Sequence, residues 1–226
     1  MVTVRGGRSQ NFGTSNGKWS TTPNDYKTPE LLRDVVGTKG KPKSIGESVM
    51  GTNPRHSPKY SEYSKNCQRC VVAYELRRRG YDVEALAAYK GNKENRVAHI
   101  DQRRNLYNGF WKGAFRNGRN EDVSARTPDK VIQNIEKKMQ SYGSGSRAVI
   151  QVFWKGGGGH VFNIENDHGR IVWVEAQSGR MRNPRETMSH ADTSSVNIVR
   201  TDNLRISDRI REFVGQSKNL SKKRAR

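Results

Sequence analysis

The order of the predicted elements indicates an α+β fold, because helices come first along the chain and an antiparallel sheet follows. Two capping patterns mark helix starts, Asn66 before Cys67 and Thr127 before Pro128. Three apolar runs come next, and the last two are joined by Asn166-Asp167-His168-Gly169, a short connection typical of a β-hairpin. We therefore predict N-terminal helices packed on an antiparallel sheet.

The N-terminal residues have the composition of an arm without its own core. Residues 1–27 are rich in Gly, Ser, Thr, Asn and basic side chains and show almost no apolar periodicity. Thr28-Pro29-Glu30 then opens a short helix that Gly37 ends. Three parts are predicted: a basic arm over 1–43 that includes this helix, a domain over 44–215, and a basic tail over 216–226. We expect the tail, and the arm outside its helix, to be disordered.

The predicted helix over 66–79 has the clearest boundaries in the chain. Asn66 caps it, its first half is mostly apolar, and Arg77-Arg78-Arg79 would face the negative end of the helix dipole before Gly80 ends it. The large side chains within 108–111 are expected to cover one end of the core. The remaining predicted elements are a strand over 81–88, a helix over 127–141, strands over 148–154, 160–165, 170–176 and 196–200, and a helix over 207–214.

The chain is strongly basic. Its 226 residues include 42 Lys and Arg against 22 Asp and Glu, which gives a formal net charge of +20. This charge favours polyanionic partners such as nucleic acid, a packaged genome or an acidic membrane face, with a solubilising surface charge as the alternative. Some aromatic residues among the basic ones could stack on single-stranded nucleic acid, although we expect them to be core and rim residues: Tyr60, Tyr63, Tyr107, Trp111 and Phe115.

Several classes of protein are disfavoured by the sequence. No run reaches the roughly 18 apolar residues of a membrane helix, and the N-terminus lacks the apolar core of a secretory signal, so we expect no membrane partner and no classical secretion. Cys67 and Cys70 are too few for a disulfide framework or a structural zinc site. A redox Cys-x-x-Cys pair is the alternative, but no thioredoxin-type strand precedes it and no proline lies inside it. We expect no metal and no cofactor.

Cys67 is the predicted nucleophile. The first turn of a helix favours an ionised thiol through the helix dipole and the free backbone N–H groups, and Cys67 follows the Asn66 cap directly. Cys70 begins the apolar run Cys70-Val71-Val72-Ala73 one turn later. We therefore expect Cys70 to be buried and rank it second.

His160 follows a run of four glycines, Gly156–Gly159, and begins an apolar strand. The glycines would let a substrate chain approach closely, and the alternative is a flexible hairpin with an incidental histidine. The run is not a phosphate-binding loop, because no Lys-Ser or Lys-Thr pair follows it. The other histidines lie in polar or turn-like contexts and are predicted to be surface residues: His56, His99, His168 and His190.

Glu175 lies fifteen positions after His160, across the predicted hairpin. Antiparallel neighbours at such offsets come close together, and a carboxylate there would fix the imidazole tautomer and stabilise its charged form. An exposed acid is the alternative, and Gln177 is the second choice for orienting the imidazole. A cysteine on a helix, a histidine on a strand and an acid on the next strand are, in that order, typical of a papain-like thiol site.

Three blocks of the chain resemble the papain-fold toxins often called toxin glutamine deamidases. The blocks are Asn-Cys-Gln-Arg-Cys-Val-Val-Ala-Tyr-Glu-Leu-Arg-Arg-Arg-Gly-Tyr-Asp-Val-Glu-Ala over 66–85, Gly-His-Val-Phe-Asn over 159–163 and Val-Glu-Ala-Gln-Ser-Gly over 174–179. They occur in order, and the resemblance spans roughly 44–204. Relatives in this family occur at the ends of bacterial polymorphic toxins and in phage minor-head or portal-associated proteins.

The resemblance implies a papain-like fold with Cys67 as nucleophile and His160 as base. Glu175 stands where the family usually has Asp in an Asp-x-Gln-x-Gly block. The oxyanion-hole glutamine of papain relatives, six residues before the nucleophile, is replaced by Ser61. The backbone N–H of Cys67 would supply one oxyanion donor, and the second is unassigned. Second-choice site residues are Gln177, Cys70 and Asn66.

The implied activity is deamidation of a glutamine side chain in a protein substrate, by a toxin or effector. A protease or a transglutaminase would use the same acyl-enzyme. A different class of function is a non-enzymatic virion or nucleic-acid-associated protein that retains the fold. Under the resemblance, phage head or portal proteins are further partners, with DNA bound through the basic arm and tail. The expected location is a phage virion or the cytoplasm of a target cell.

Overall fold

The computed structural model describes residues 32–59, 61–88 and 109–219 of the chain. Some predictions fall outside these ranges. They concern the basic arm up to residue 31, the tail from residue 220, Tyr60, His99, Tyr107 and Asn108. The division of the chain into arm, domain and tail stays a prediction.

The described residues form short helices and an antiparallel sheet. The α-helices are α1 Arg33–Val36, α2 Ile45–Thr52, α3 Ser61–Ser64, α4 Cys67–Arg78, α5 Pro128–Tyr142 and α6 Pro184–His190. The strands are β1 Val83–Ala85, β2 Glu121–Asp122, β3 Arg147–Phe153, β4 Gly159–Asp167, β5 Arg170–Glu175, β6 Arg180–Met181, β7 Asn197–Arg200 and β8 Val214–Gln216. Two 3-10 helices span Phe110–Ala114 and Asp208–Glu212. Within these described ranges, no helix is both long and apolar enough to cross a membrane.

One antiparallel sheet organises the fold. Its strands lie in the order β2-β7-β3-β4-β5-β6, while β1 and β8 pair with each other apart from it. The strands β3, β4 and β5 follow one another in the chain and lie side by side, so they form two consecutive hairpins. The second hairpin turns at the predicted Asn166–Gly169 segment. The predicted α+β class with an antiparallel sheet is confirmed.

The sheet separates two hydrophobic layers, because successive side chains of a strand point to opposite faces. Val149 of β3 packs in one cluster with Val71 of α4. The next residue, Ile150, packs in a second cluster with Ile135 and Met139 of α5. The helix α4 therefore lies on one face of the sheet and α5 on the other, which places the N-terminus of α4 beside the sheet.

The helix α4 matches its prediction to within one residue at each end. Asn66 is its N-cap residue, but the Asn66 side chain makes no capping hydrogen bond, so that part of the prediction is wrong. Gly80 follows the helix with a φ of 101°, and a Cβ there would lie 2.2 Å from the carbonyl oxygen of Gly40. Both the left-handed backbone and the close approach require glycine at this stop.

The predicted helix over 207–214 forms as a shorter 3-10 helix, Asp208–Glu212, with Ser207 as its N-cap residue. The chain then extends into β8, where Val214 pairs with Ala85 and Gln216 with Val83. The partner strand β1 covers only three residues of the predicted 81–88 strand. Backbone pairing between distant segments thus replaces the local helical preference.

Gln216 of β8 hydrogen-bonds to the backbone of α1. Its side-chain amide donates hydrogen bonds to the carbonyl oxygens of Arg33 at 3.1 Å and Asp34 at 2.7 Å. The last strand of the fold therefore holds α1, and β8 ends one residue beyond the predicted end of the domain.

Candidate active site

The two cysteines differ in accessibility. Cys67 is the first residue of α4 and is half-buried, whereas Cys70, one turn later, is 1% exposed, as predicted. Burial raises the pKa of the Cys70 thiol well above its ordinary value, and nearby Cys67 and Glu175 add to this effect. Cys67 is therefore the cysteine of the pair that a substrate can reach.

His160 and Glu175 are held together on adjacent strands. His160 Nε2 lies 2.7 Å from Glu175 Oε2, and each residue is 8% exposed. The register pairs Asn163 of β4 with Val174 of β5, so Glu175 shares a face of the sheet with His160 at a diagonal position. The alternative that Glu175 is an exposed acid is wrong.

The His160 ring lies between this carboxylate and the Cys67 thiol. Burial lowers the pKa of His160, but the charge of Glu175 and hydrogen bonds with Cys67 and Glu175 outweigh burial and raise that pKa to about 9. The imidazole therefore carries a proton at neutral pH, and the charged ring lies beside the sulfur.

Arg182, a residue that the sequence did not single out, binds the same carboxylate. Its Nε lies 2.7 Å from Glu175 Oε2, while the backbone N–H of Gln177 donates to Glu175 Oε1 at 3.2 Å. Burial raises the pKa of Glu175, but the charges and hydrogen bonds of His160 and Arg182 lower it to about 2. Glu175 is therefore ionised throughout the neutral range.

Three amide side chains form a cluster below the cysteines. Asn66 Oδ1 accepts from Cys70 Sγ, Gln177 Nε2 and Asn53 Nδ2, each at 3.3 Å. Asn53 Nδ2 also donates to the Gln177 carbonyl oxygen at 2.8 Å, which ties the end of α2 to the residues after β5. The cluster fixes the start of α4 relative to the strand that carries Glu175.

This cluster changes the roles of two predicted second-choice residues. Gln177 contacts Asn66, and the hydrogen bond that orients His160 comes from Glu175. Asn66 likewise acts through Cys70 and the amide cluster. Asn53 has no local sequence signal, because its partners lie 13 and 124 residues away.

A cleft of about 560 Å³ opens beside His160 and Glu175. The side chains of Trp154 and Met181 form part of its lining, and Met181 is 53% exposed. The glycine run forms the nearby turn between β3 and β4, and a Cβ placed on any of Gly156, Gly157 or Gly158 would meet open space. The predicted open approach for a substrate chain beside His160 is consistent with this geometry.

The other residues singled out in the sequence have no contact with Cys67, His160 or Glu175 that the structure records. His168 and His190 are exposed and His56 is half-buried, and His190 lines the cleft. Trp111 and Phe115 are buried in the core, as predicted. Ser61 begins α3, and its side chain is outside the described part of the structure. Among the described residues, no group of three or more His, Cys, Asp or Glu side chains is arranged to hold a metal ion.

Comparison with known proteins gives one match. The family described as "Papain fold toxin 1, glutamine deamidase" matches residues 65–180. No curated protein and no solved structure matches the chain. The matched range covers about half of the 226 residues and contains Cys67, His160 and Glu175, whereas Asn53 and Arg182 lie outside it. The chain therefore belongs to the papain-fold toxin 1, glutamine deamidase family.

Proposed function

We propose that this chain is a cysteine-dependent deamidase that converts a glutamine side chain of a protein substrate to glutamate. Cys67 is the nucleophile, His160 the general acid and base, and Glu175 the residue that orients His160. The observation that carries the proposal is the His160 ring, which is hydrogen-bonded to Glu175 and lies close enough to the Cys67 thiol for that thiol to raise its pKa. This order of contacts is what thiol acyl transfer requires.

In the first half of the reaction, the Cys67 thiolate attacks the carboxamide carbon of the glutamine. The backbone N–H of Cys67 donates a hydrogen bond to the oxyanion that forms. His160, protonated because its pKa is raised to about 9, transfers its proton to the amide nitrogen. The C–N bond breaks, ammonia leaves, and a thioester joins Cys67 to the substrate.

In the second half, water attacks the thioester carbon. His160, now neutral, takes a proton from the water, and the C–S bond breaks. The products are the glutamate side chain and the Cys67 thiolate beside a protonated His160. Glu175 stays ionised throughout, because its pKa of about 2 lies far below the working range.

The direct test is mass spectrometry of candidate substrate proteins treated with the enzyme. Wild type should raise the mass of one glutamine peptide by about one dalton with release of ammonia, because an amide becomes an acid. Cys67→Ala and His160→Ala should leave the peptide unchanged. Cleavage of the substrate chain by wild type alone would instead identify a protease, and a cross-link to an amine would identify a transglutaminase.

A reactivity test is independent of the substrate. A thiol-directed probe should label Cys67 much faster in wild type than in His160→Ala, because His160 stabilises the thiolate. Equal labelling rates in the two proteins would count against an activated thiol.

The net charge of +20 favours a second candidate, a non-enzymatic protein that associates with nucleic acid. DNA affinity should then fall steeply as salt is raised, and the Cys67→Ala variant should bind as wild type does. A flat salt response would remove this candidate. Carriage in a phage particle and action in a target-cell cytoplasm stay predictions of the sequence resemblance.

A further inference from the structure

We infer that Arg182 is a positioning residue of the active site, which holds Glu175 in place and limits the charge that this carboxylate presents to His160. The inference rests on the proposed function and extends it to a residue outside the family match, which ends at position 180. Arg182 follows β6, at the edge of the sheet, where the chain turns toward α6.

The first observation is that two donors share one carboxylate oxygen. His160 Nε2 and Arg182 Nε both lie 2.7 Å from Glu175 Oε2. The remaining oxygen, Oε1, accepts from the backbone N–H of Gln177. Both oxygens of Glu175 are therefore bonded, and the carboxylate has one orientation relative to the imidazole.

The second observation is that Arg182 is itself fixed. Its Nη1 donates to Thr187 Oγ1 at 3.0 Å, and this hydroxyl donates to the carbonyl oxygen of Asn183 at 2.8 Å. The guanidinium lies 4.8 Å from the ring centroid of Phe162, a distance typical of a cation–π contact. Its side chain is only 19% exposed. The start of α6 thus supports a rigid clamp on Glu175.

A clamp of this kind has a physical reason in the chemistry of glutamate. The Glu175 carboxylate ends a side chain with two methylene groups, whose rotation would let it leave the imidazole. A second bonded donor removes that freedom and holds the carboxylate against His160.

The clamp also has an electrostatic consequence. The titratable groups that act on His160 are Cys67 from α4 and Glu175 from β5. Arg182 contacts Glu175 and so acts on His160 through that carboxylate. The cleft beside them also contains charged or titratable side chains of β6 and α6: Arg180, Glu186 and His190. The positive charge of Arg182, bonded to the Glu175 carboxylate, weakens the attraction between that carboxylate and the protonated imidazole. Removing that charge should raise the pKa of His160.

The test measures the pH dependence of Cys67 alkylation by iodoacetamide, with the adduct located by fragmentation mass spectrometry. The upper inflection of this profile reports deprotonation of His160. In Arg182→Met it should move up by about half a unit or more, because a neighbouring positive charge is lost. Arg182→Lys should keep the inflection close to wild type, because it keeps the charge. Arg185→Met, a surface arginine of α6 with 84% of its side chain exposed, is the control.

Activity supplies the second readout. With the substrate of the deamidation assay, Arg182→Met should lower kcat about 10- to 100-fold with little change in KM, because orientation of the acid–base group is lost. Arg182→Lys should recover only part of this loss, since lysine cannot bond Glu175 and Thr187 through a rigid fork. Thr187→Val should lower kcat less than Arg182→Met does.

The outcomes separate this inference from the proposed function. An unchanged inflection in Arg182→Met, in protein that unfolds at the wild-type temperature, overturns the inference whatever the activity is. A shifted inflection without any deamidation supports the inference and removes the deamidase. If Arg182→Met does not fold, Arg182→Lys and Thr187→Val decide: wild-type kcat in both would overturn the inference.

Discussion

A buried carboxylate lies near each end of α4: Glu75 of the helix itself near its C-terminal end, and Glu175 of β5 near its N-terminal end. The partners of the two carboxylates differ. Near the C-terminal end, Glu75 accepts from Arg79 Nε at 2.7 Å and from Arg147 Nε at 2.9 Å and Nη2 at 3.0 Å. Near the N-terminal end, Glu175 accepts from Arg182 and shares a bond with His160. The charged partners of Glu75 are both arginines, whereas Glu175 also has His160 as a partner, and His160 can lose its proton.

This difference separates a structural ion cluster from the proposed catalytic one. Burial raises the pKa of both Glu75 and Glu175, and their partners lower it to about 2 in each case. Arginine stays charged at any ordinary pH, so the Glu75 cluster has a fixed charge state. His160, with a pKa of about 9, can change its charge during a reaction. A buried carboxylate therefore holds the fold at one end of α4 and, under the proposed function, supports proton transfer at the other.

The largest expected effect is on stability at the C-terminal end. Glu75→Gln should lower the free energy of unfolding by about 3–5 kcal/mol, because Arg79 and Arg147 would be left buried without a carboxylate. Arg185→Gln, which removes a surface ion pair with Asp129, should cost less than about 1 kcal/mol. Urea unfolding at neutral pH measures both. A Glu75→Gln protein as stable as wild type would show that the cluster is not needed for the fold.

The next effect is on activity at the N-terminal end. Glu175→Gln should lower kcat/KM about 100-fold, because an amide can keep a hydrogen bond to His160 but loses the charge that stabilises the imidazolium. The upper pH limit of activity should fall, since Glu175 is a cause of the raised pKa of His160. Steady-state deamidation over a range of pH values measures both changes. Asp129→Asn, at the exposed start of α5 where it pairs with the surface residue Arg185, should behave as wild type.

The arrangement of the proposed site could be predicted in part from the sequence, because several of its signals are local. Asn66 before Cys67 marks the helix start, and the short turn after β4 fixes the offset that brings Glu175 beside His160. Each of these features depends on a few neighbouring residues, which is why their spacing alone indicated the arrangement.

The structural end could not be predicted, because its contacts join residues far apart in the chain. The sequence indicated arginines facing the helix dipole, yet Arg78 binds Glu165, 87 residues away, at 2.6 Å. Asn53 was missed for the same reason, since its partner Gln177 lies 124 residues away. Arg182 lies only seven residues from Glu175, but an arginine after a short edge strand carries no pattern that marks it as a partner of that carboxylate. The strand β8 was missed because its pairing with distant β1 leaves no local pattern, and the predicted 207–214 helix overlaps it only at Val214.

The pH dependence of stability should differ between the two ends. His160 has its pKa raised from 6.5 to about 9, so its stabilisation is complete below about pH 6.5 and is lost as the pH rises through about 9. Glu75 and Glu175 have their pKa lowered from 4.5 to about 2, so their stabilisation is present above about pH 4.5 and is lost as the pH falls through about 2. Both contributions are therefore complete between about pH 4.5 and 6.5.

His160→Gln provides the measurement for this comparison. Between about pH 6 and 9.5, wild type should lose on the order of 2 kcal/mol of unfolding free energy relative to His160→Gln, because only wild type releases the His160 proton. The arginine partners of Glu75 should add no alkaline loss. Urea unfolding at constant ionic strength measures the difference, and parallel curves for the two proteins would contradict it.

The smallest expected effect comes from Cys70, and it tests whether only Cys67 of the two α4 cysteines takes part in the proposed reaction. Cys70 is 1% exposed and donates only a weak hydrogen bond to Asn66, at 3.3 Å. Cys70→Ala should therefore cost about 1 kcal/mol of stability and change kcat/KM by less than about threefold. Cys67→Ala should do the reverse, with activity abolished and stability nearly unchanged. Urea unfolding and deamidation kinetics of both variants measure this, and rapid alkylation of both cysteines in wild type would show that the core does not begin at Cys70.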